Sequence, residues 1–280
     1  MLLFQVIDLH YNLGTPNKLE KRQFIIGTSG WGSHISFNKS LDIGKKLISI
    51  GFNSFDTAPN YGAGYSHQII NKLSEDQQLE VDTKYGDEFT FSTREILKRV
   101  YRFRDIETFS NSFKYLKIKR SNRKKKQFWN LVNLNHGITQ FKKDLKNCKL
   151  NVLYLHKPPN GIISKIFLTK FIEYAYQNNL LPGISWPSLD DLNNMLNFSD
   201  NVQIQISMEA FRQNKNFITD KFDYVNIAGL FRRPNSNKVT YEQSGLIMDE
   251  ISEVLSCKKK YKITIGINSE NSIEKLKKYF

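Results

Sequence analysis

The sequence predicts an α/β fold of the (β/α)8 TIM barrel type, in a single domain. Two observations lead there. Short apolar runs with strand character alternate with segments of helical period from residue 23 to the end, and eight such runs occur in that span. Eight strand-then-helix units over roughly 250 residues is the arithmetic of a closed barrel. The competing architecture is a doubly wound open sheet, which for a dinucleotide enzyme needs Gly-x-Gly-x-x-Gly after its first strand. The stretch Gly27-Thr-Ser-Gly30-Trp-Gly32 is glycine-rich but has the wrong spacing, and Trp31 would crowd a pyrophosphate.

The elements follow in order. Residues 1–22 read as an N-terminal extension, and 23–280 as the barrel. Strands are expected at about 23–28, 52–56, 79–84, 151–156, 181–185, 202–206, 223–228 and 262–266. Ser40 reads as a helix N-cap before Ile43, Leu47 and Ile50, and Gly51 as the stop. A helix is expected from about Ser66 to Leu73. The helix face Ile138, Phe141, Leu145, Cys148 precedes the fourth strand, and helices at 166–176, 246–255 and 272–279 come later. Leu189, Leu192, Met195 and Leu196 mark one more. Between the third strand and the fourth, about 87–133, lies an insert longer than a barrel needs.

Composition limits the function classes. The net charge is +14, and a net +10 of it falls between Lys98 and Lys126. That is a basic insert on an ordinary enzyme-like body, so a general nucleic-acid binder is not expected. Phe103, Phe109, Phe113, Tyr115 and Phe128 suit a small core under the insert equally well. No apolar run approaches the ~20 residues of a membrane span. The first residues lack a basic n-region, and Cys148 and Cys257 are too few for a disulfide framework or a cysteine zinc site. A cytoplasmic protein is expected. His10, His34, His67 and His136 show no metal-ligand spacing, so no metal is expected.

The chemistry concentrates at strand ends. Asp56 ends the second strand, and Pro59, Asn60 and Gly62 turn the chain around Tyr61. Val81-Asp82-Thr83-Lys84 ends in a lysine, and Val152-Leu-Tyr-Leu-His156 in a histidine. In α/β enzymes the carboxyl ends of strands carry the active site. Taken singly, Asp56 reads as a turn former, Tyr61 as a packed aromatic, Lys84 as a solvated cation and His156 as a structural histidine. Taken together they make a proton-transfer set. A tyrosine hydroxyl titrates near pH 10, too high for acid–base work at neutral pH. A lysine ammonium in reach favours the phenolate and lowers that value, and a buried lysine needs a carboxylate to stay charged.

These residues carry a resemblance. Asp56-Thr-Ala-Pro-Asn-Tyr61-Gly62, Thr83-Lys84-Tyr-Gly86 and Leu153-Tyr-Leu-His156-Lys-Pro158 resemble the aldo-keto reductase family, and Gly183-Ile-Ser185, Gln203/Gln205 and Ile265-Gly266 fall in its order. The resemblance spans about 23–86 and 134–280. It implies an NADP-dependent carbonyl reductase, with NAD as the other cofactor. Tyr61 would be the proton donor, Lys84 its tuner, Asp56 the lysine's partner and His156 the substrate orienter. It also implies cofactor contacts from Gly27, Thr28, Asp56, Ser185 and Gln205 (Gln203 being the alternative). The remaining implied contacts are Gly229, Leu230, Phe231 and Arg232 (or Arg233) after the seventh strand, and Gly266, Asn268 and Ser269 after the eighth. The chain departs from the pattern at Trp186, where the family often has asparagine, and Glu270 is an awkward neighbour for a 2′-phosphate that Lys275 could offset. Trp31 would be either a pocket wall or a lid on the barrel.

The expected substrate is a small carbonyl compound, with a sugar or an anionic molecule suggested by the basic insert. The alternative is a catalytically weak relative that binds nucleotide and docks on a partner through that insert.

Overall fold

The computed structural model describes residues 20–86, 131–158, 164–188, 192–193, 202–229, 251–252, 254–255, 260–277 and 280. The basic run at 98–126, most of the N-terminal extension and the segment 230–250 lie outside the described residues.

Eight parallel strands close into a barrel in sequence order, each hydrogen-bonded to the next and the last to the first. They are β1 (Phe24–Gly27), β2 (Ser54–Asp56), β3 (Glu80–Tyr85), β4 (Lys149–His156), β5 (Leu181–Ser185), β6 (Gln203–Ser207), β7 (Val225–Ala228) and β8 (Tyr261–Gly266). Every expected strand is present, with boundaries shifted by two residues at most. The helices on the outside are α1 (Phe37–Ser49), α2 (Tyr65–Leu73), α3 (Leu131–Asp144), α4 (Lys165–Gln177), α5 (Met208–Gln213), α6 (Lys215–Lys221) and α7 (Glu270–Lys277). Among the described residues no helix is long and apolar enough to cross a membrane.

Side chains alternate across each strand, so every strand has an outer and an inner face. The outer faces meet the helices in one apolar layer that includes Phe24, Ile26, Phe55, Val81, Leu153, Leu155, Ile204, Ile227 and Ile263. The inner faces are far more polar: Asp56, Asp82, Lys84, Gln203, Gln205, Asn226 and Thr264 are all buried there. Tyr154 crosses the interior and fills the space that β5 leaves at Gly183, where an added Cβ would lie 2.5 Å from the tyrosine ring.

Two local features differ from expectation. α1 begins earlier than predicted, because Ser36 is the N-cap and its hydroxyl accepts from the Lys39 amide. Ser40 lies inside the helix, where its hydroxyl donates to the Ser36 carbonyl. Gly44, also inside α1, lets Leu73 of α2 pack against the helix. Finally, α5 and α6 fill the β6–β7 connection, where no helix was expected.

Candidate active site at the carboxyl end of the barrel

The site is built on β2, β3, β4 and the loop after β2. Period-two alternation puts Lys84 on the inner face of β3, one pleat above Asp82. Asp56 ends β2 on the same inner side. The Lys84 ammonium and the Asp56 carboxylate form a fully buried ion pair. A second lysine hydrogen bond goes to the Thr57 carbonyl at 3.2 Å. Burial works against the ammonium, but Asp56, Tyr61 and Asp82 together outweigh it, and its pKa is raised. Lys84 is therefore a fixed positive charge across the physiological range.

Tyr61 opens a short 3-10 turn, Tyr61–Gly64, that leads into α2. Gly62, Ala63 and Gly64 all have positive φ. At Gly62 the requirement is absolute: φ is +55°, and a Cβ would sit 2.4 Å from the Trp31 carbonyl oxygen. This tight turn carries Tyr61 over the barrel mouth. The Lys84 Nζ lies 5.2 Å from the centre of the Tyr61 ring. The His156 imidazole, at the end of β4, meets Tyr61 edge-on with ring centres 6.1 Å apart. The four residues singled out from the sequence thus converge on one patch at the strands' carboxyl ends.

A polar network extends from this patch across the barrel. Gln205 Nε2 donates to Asp56 Oδ2 at 2.9 Å, and Ser185 Oγ donates to Gln205 Oε1 at 2.6 Å. Asp56 thus links β2, β3 and β6. Under it, Asn226 Nδ2 donates to the Tyr154 hydroxyl at 3.2 Å, and Thr264 Oγ1 donates to Asn226 Oδ1 at 2.8 Å. Thr28 donates to the Asp56 carbonyl at 2.9 Å and touches Ser66 Oγ at 2.6 Å, which in turn lies 2.8 Å from Thr57 Oγ1. Thr28 therefore ties the ends of β1 and β2 together.

Those residues expected to contact a nucleotide that are described lie at strand ends around the same mouth. Gly27 and Gly266 sit side by side at the ends of β1 and β8. A side chain at Gly266 would meet no atom within 4 Å, so the barrel wall is open there. Across the barrel, the Gln205 amide and the Ser185 hydroxyl are buried and already hydrogen-bonded, to each other and to Asp56. Gly229, with φ +75°, follows β7. Asn268 packs its side chain against the backbone of Gly30. Ser269 caps the start of α7, accepting from the Ser272 amide at 3.2 Å. Glu270 is held by Lys46 of α1 at 2.8 Å, and that contact lowers its carboxyl pKa. Leu230, Phe231, Arg232 and Arg233 lie outside the described residues, as does the Lys275 side chain.

Other expectations resolve here. Trp31 is completely buried, and its indole donates to the Ile267 carbonyl at 2.9 Å, so it joins the loops after β1 and β8. His67 is likewise buried, 3.2 Å from Thr83 Oγ1. Trp186 and Lys157 both take left-handed backbone conformations directly after β5 and β4, with the Lys157 ammonium 6.0 Å from the indole centre. The sequence reading passed over Asp82, Tyr154, Asn226 and Thr264. Their signal was polar residues at period two within strands whose other face is apolar.

A closed parallel barrel with a buried aspartate–lysine pair, a tyrosine and a histidine at its mouth defines a class of barrel enzyme. The family model for the aldo/keto reductase family matches residues 23–229, and the chain belongs to that family. Solved structures agree on the fold. A holo aldo-keto reductase from Bacillus halodurans is 15% identical with a TM-score of 0.60, over 92% of this chain and 86% of that one. A glycerol dehydrogenase from Gluconobacter oxydans is 13% identical with a TM-score of 0.56, over 92% and 86%. An aldo-keto reductase from Klebsiella pneumoniae in complex with NADPH is 11% identical with a TM-score of 0.51, over 73% and 62%. No curated protein matched the sequence.

Proposed function

We propose that the protein is an NAD(P)H-dependent reductase of aldehydes or ketones, with Tyr61 as the proton donor. The observation that carries this reading is the buried Lys84–Asp56 pair set against the Tyr61 ring, with His156 closing the other side. Reduction adds a hydride to the carbonyl carbon and a proton to its oxygen. A bound nicotinamide supplies the hydride. The chain supplies the rest. His156 hydrogen-bonds the carbonyl oxygen and orients it. Tyr61 Oη passes its proton to that oxygen, and the phenolate left behind is stabilised by the Lys84 charge. Asp56 keeps Lys84 charged and in place.

Gly27, Thr28 and Gly266 would leave room for the nucleotide, with Ser185 and Gln205 holding its carboxamide. Gly229, Leu230, Phe231 and Arg232 would flank its phosphates, and Asn268 and Ser269 its adenosine end. NADP is the first choice, since a solved relative binds NADPH. The net +10 over residues 98–126 favours an anionic carbonyl substrate, such as a phosphorylated or nucleotide-linked sugar.

The test is direct. The purified protein, NADPH or NADH, and a panel of reactive carbonyls are followed by nicotinamide absorbance. Turnover in the wild type, lost in Tyr61→Phe with nucleotide binding intact, is the expected result. Turnover equal in both proteins removes Tyr61 from the mechanism. A second reading has one observation behind it: Ser185 and Gln205 are hydrogen-bonded to each other, and Trp186 follows them. In that reading the chain keeps a nucleotide but turns over slowly, and docks on a partner through its basic insert. Turnover in the ordinary enzyme range, about 1–10³ s⁻¹, excludes it.

A further inference from the structure

Asp82 has no part in the mechanism above, yet it lies directly beneath it. It is two residues before Lys84 on β3, so both side chains enter the barrel, and its Cα partner on β2 is Asp56. It is almost fully buried, and its Oδ2 makes no hydrogen bond. A carboxylate oxygen left unpartnered in a barrel core is costly, and the cost is relieved when the group takes up a proton. On the β4 side the pairing slips between Val81 and Asp82, so Val152 stands opposite Asp82. Bulges of this sort re-aim side chains near functional groups.

We infer that Asp82 is a positioning residue: by gaining or losing a proton it sets the charge behind Lys84 and, through Lys84, the acidity of the Tyr61 hydroxyl. The inference rests on the reductase reading. The groups that face Asp82 are Asp56 from β2, Glu80 and Lys84 from its own strand, Tyr154 from β4 and Lys262 from β8. Burial pushes its carboxyl up to about 7; Lys262 opposes the rise and Asp56 adds to it. Below that pH, Asp82 is neutral and Lys84 answers to Asp56 alone. Above it, a second negative charge enters the core. That charge tightens the hold of Lys84 and Tyr61 on their protons, and Tyr61 becomes a weaker acid. The same ionised carboxylate opposes loss of the Tyr154 proton, a pKa that burial has already raised.

The test compares pH profiles of kcat for carbonyl reduction in the wild type and in Asp82→Asn, which keeps the shape and fixes the neutral state. The wild type is expected to lose rate through an inflection near pH 7. The fall should be roughly threefold to tenfold, as when a neighbouring charge shifts an acid by about one pK unit. Asp82→Asn should hold its rate through that range. Lys262→Met, which removes the opposing charge, should move the inflection to higher pH. Infrared difference spectra of the cofactor-free protein on either side of pH 7 give an independent readout. A carboxylic-acid carbonyl band should vanish as pH rises in the wild type and be missing in Asp82→Asn. An unchanged inflection in Asp82→Asn, or no such band in the wild type, overturns the assignment to Asp82. A wild type that turns over no carbonyl overturns the reductase reading, and this role with it.

Discussion

Replacing Asp82 by asparagine should stabilise the protein, and more so as pH rises. The folded state raises the Asp82 carboxyl from 3.8 to about 7. The folded protein therefore holds that proton more tightly than the unfolded chain does. The stability this contributes is complete below about pH 4 and is lost by the time pH passes 7. Raising the carboxyl from 3.8 to about 7 makes the total loss on the order of 4 kcal/mol, more than half of it between pH 5 and pH 8. Asparagine cannot ionise and escapes the loss. Urea unfolding of both proteins at these two pH values reads the effect, because other titrating groups cancel in the comparison. The wild-type midpoint should drop relative to the variant by on the order of 1 M urea between the two. Equal pH dependence in the two proteins would mean that Asp82 is not a strained acid, and the argument from burial and an unpartnered oxygen would fail.

Other substitutions have equally definite outcomes. Tyr61→Phe should lower kcat by roughly 10²–10⁴-fold, leaving nucleotide affinity, read by fluorescence titration, unchanged. Lys84→Met should abolish turnover and destabilise the fold by about 3–5 kcal/mol, because Asp56 is left as a buried unpaired carboxylate; the double change Lys84→Met with Asp56→Leu should recover much of that stability in chemical denaturation, though not the activity. Gly62→Ala should cost at least about 1 kcal/mol and misplace Tyr61, since φ is +55° and the Trp31 carbonyl occupies the Cβ position; calorimetry and kcat should fall together.

The strands were legible because one face of each had to be apolar. Phe24/Ile26, Leu153/Leu155 and Ile263/Ile265 mark outer faces at period two, whatever lies inside. The Asp56–Tyr61 turn was legible because proline, asparagine and glycine concentrate there for steric reasons. What escaped was short or long-range. α5 and α6 span 6 and 7 residues, less than two turns each, so no period could build up. The expectation of a cap at Ser40 failed because packing buries Ser40 against the Gly32 amide, and Ser36, four residues earlier, caps the helix instead. Asp82 looked like a chance polar residue in a strand. Its meaning depends on a neighbour 26 positions away, Asp56, which barrel closure brings alongside.

A barrel has no free edge, yet its chain has a seam, where β1 meets β8. Here the seam is fastened at both rims. At the mouth, the Trp31 indole bonds to the Ile267 carbonyl. At the opposite rim, the Phe280 ring packs edge-on against Phe24 and Phe52, with centres 5.0 and 5.4 Å apart. These contacts join the two most distant parts of the folded chain, whose loop-closure entropy is the largest to overcome. Gly27 and Gly266 pair across that seam at the mouth. An incompletely zipped chain would carry the Asp56–Lys84 pair of β2 and β3 and still lack that closing pairing.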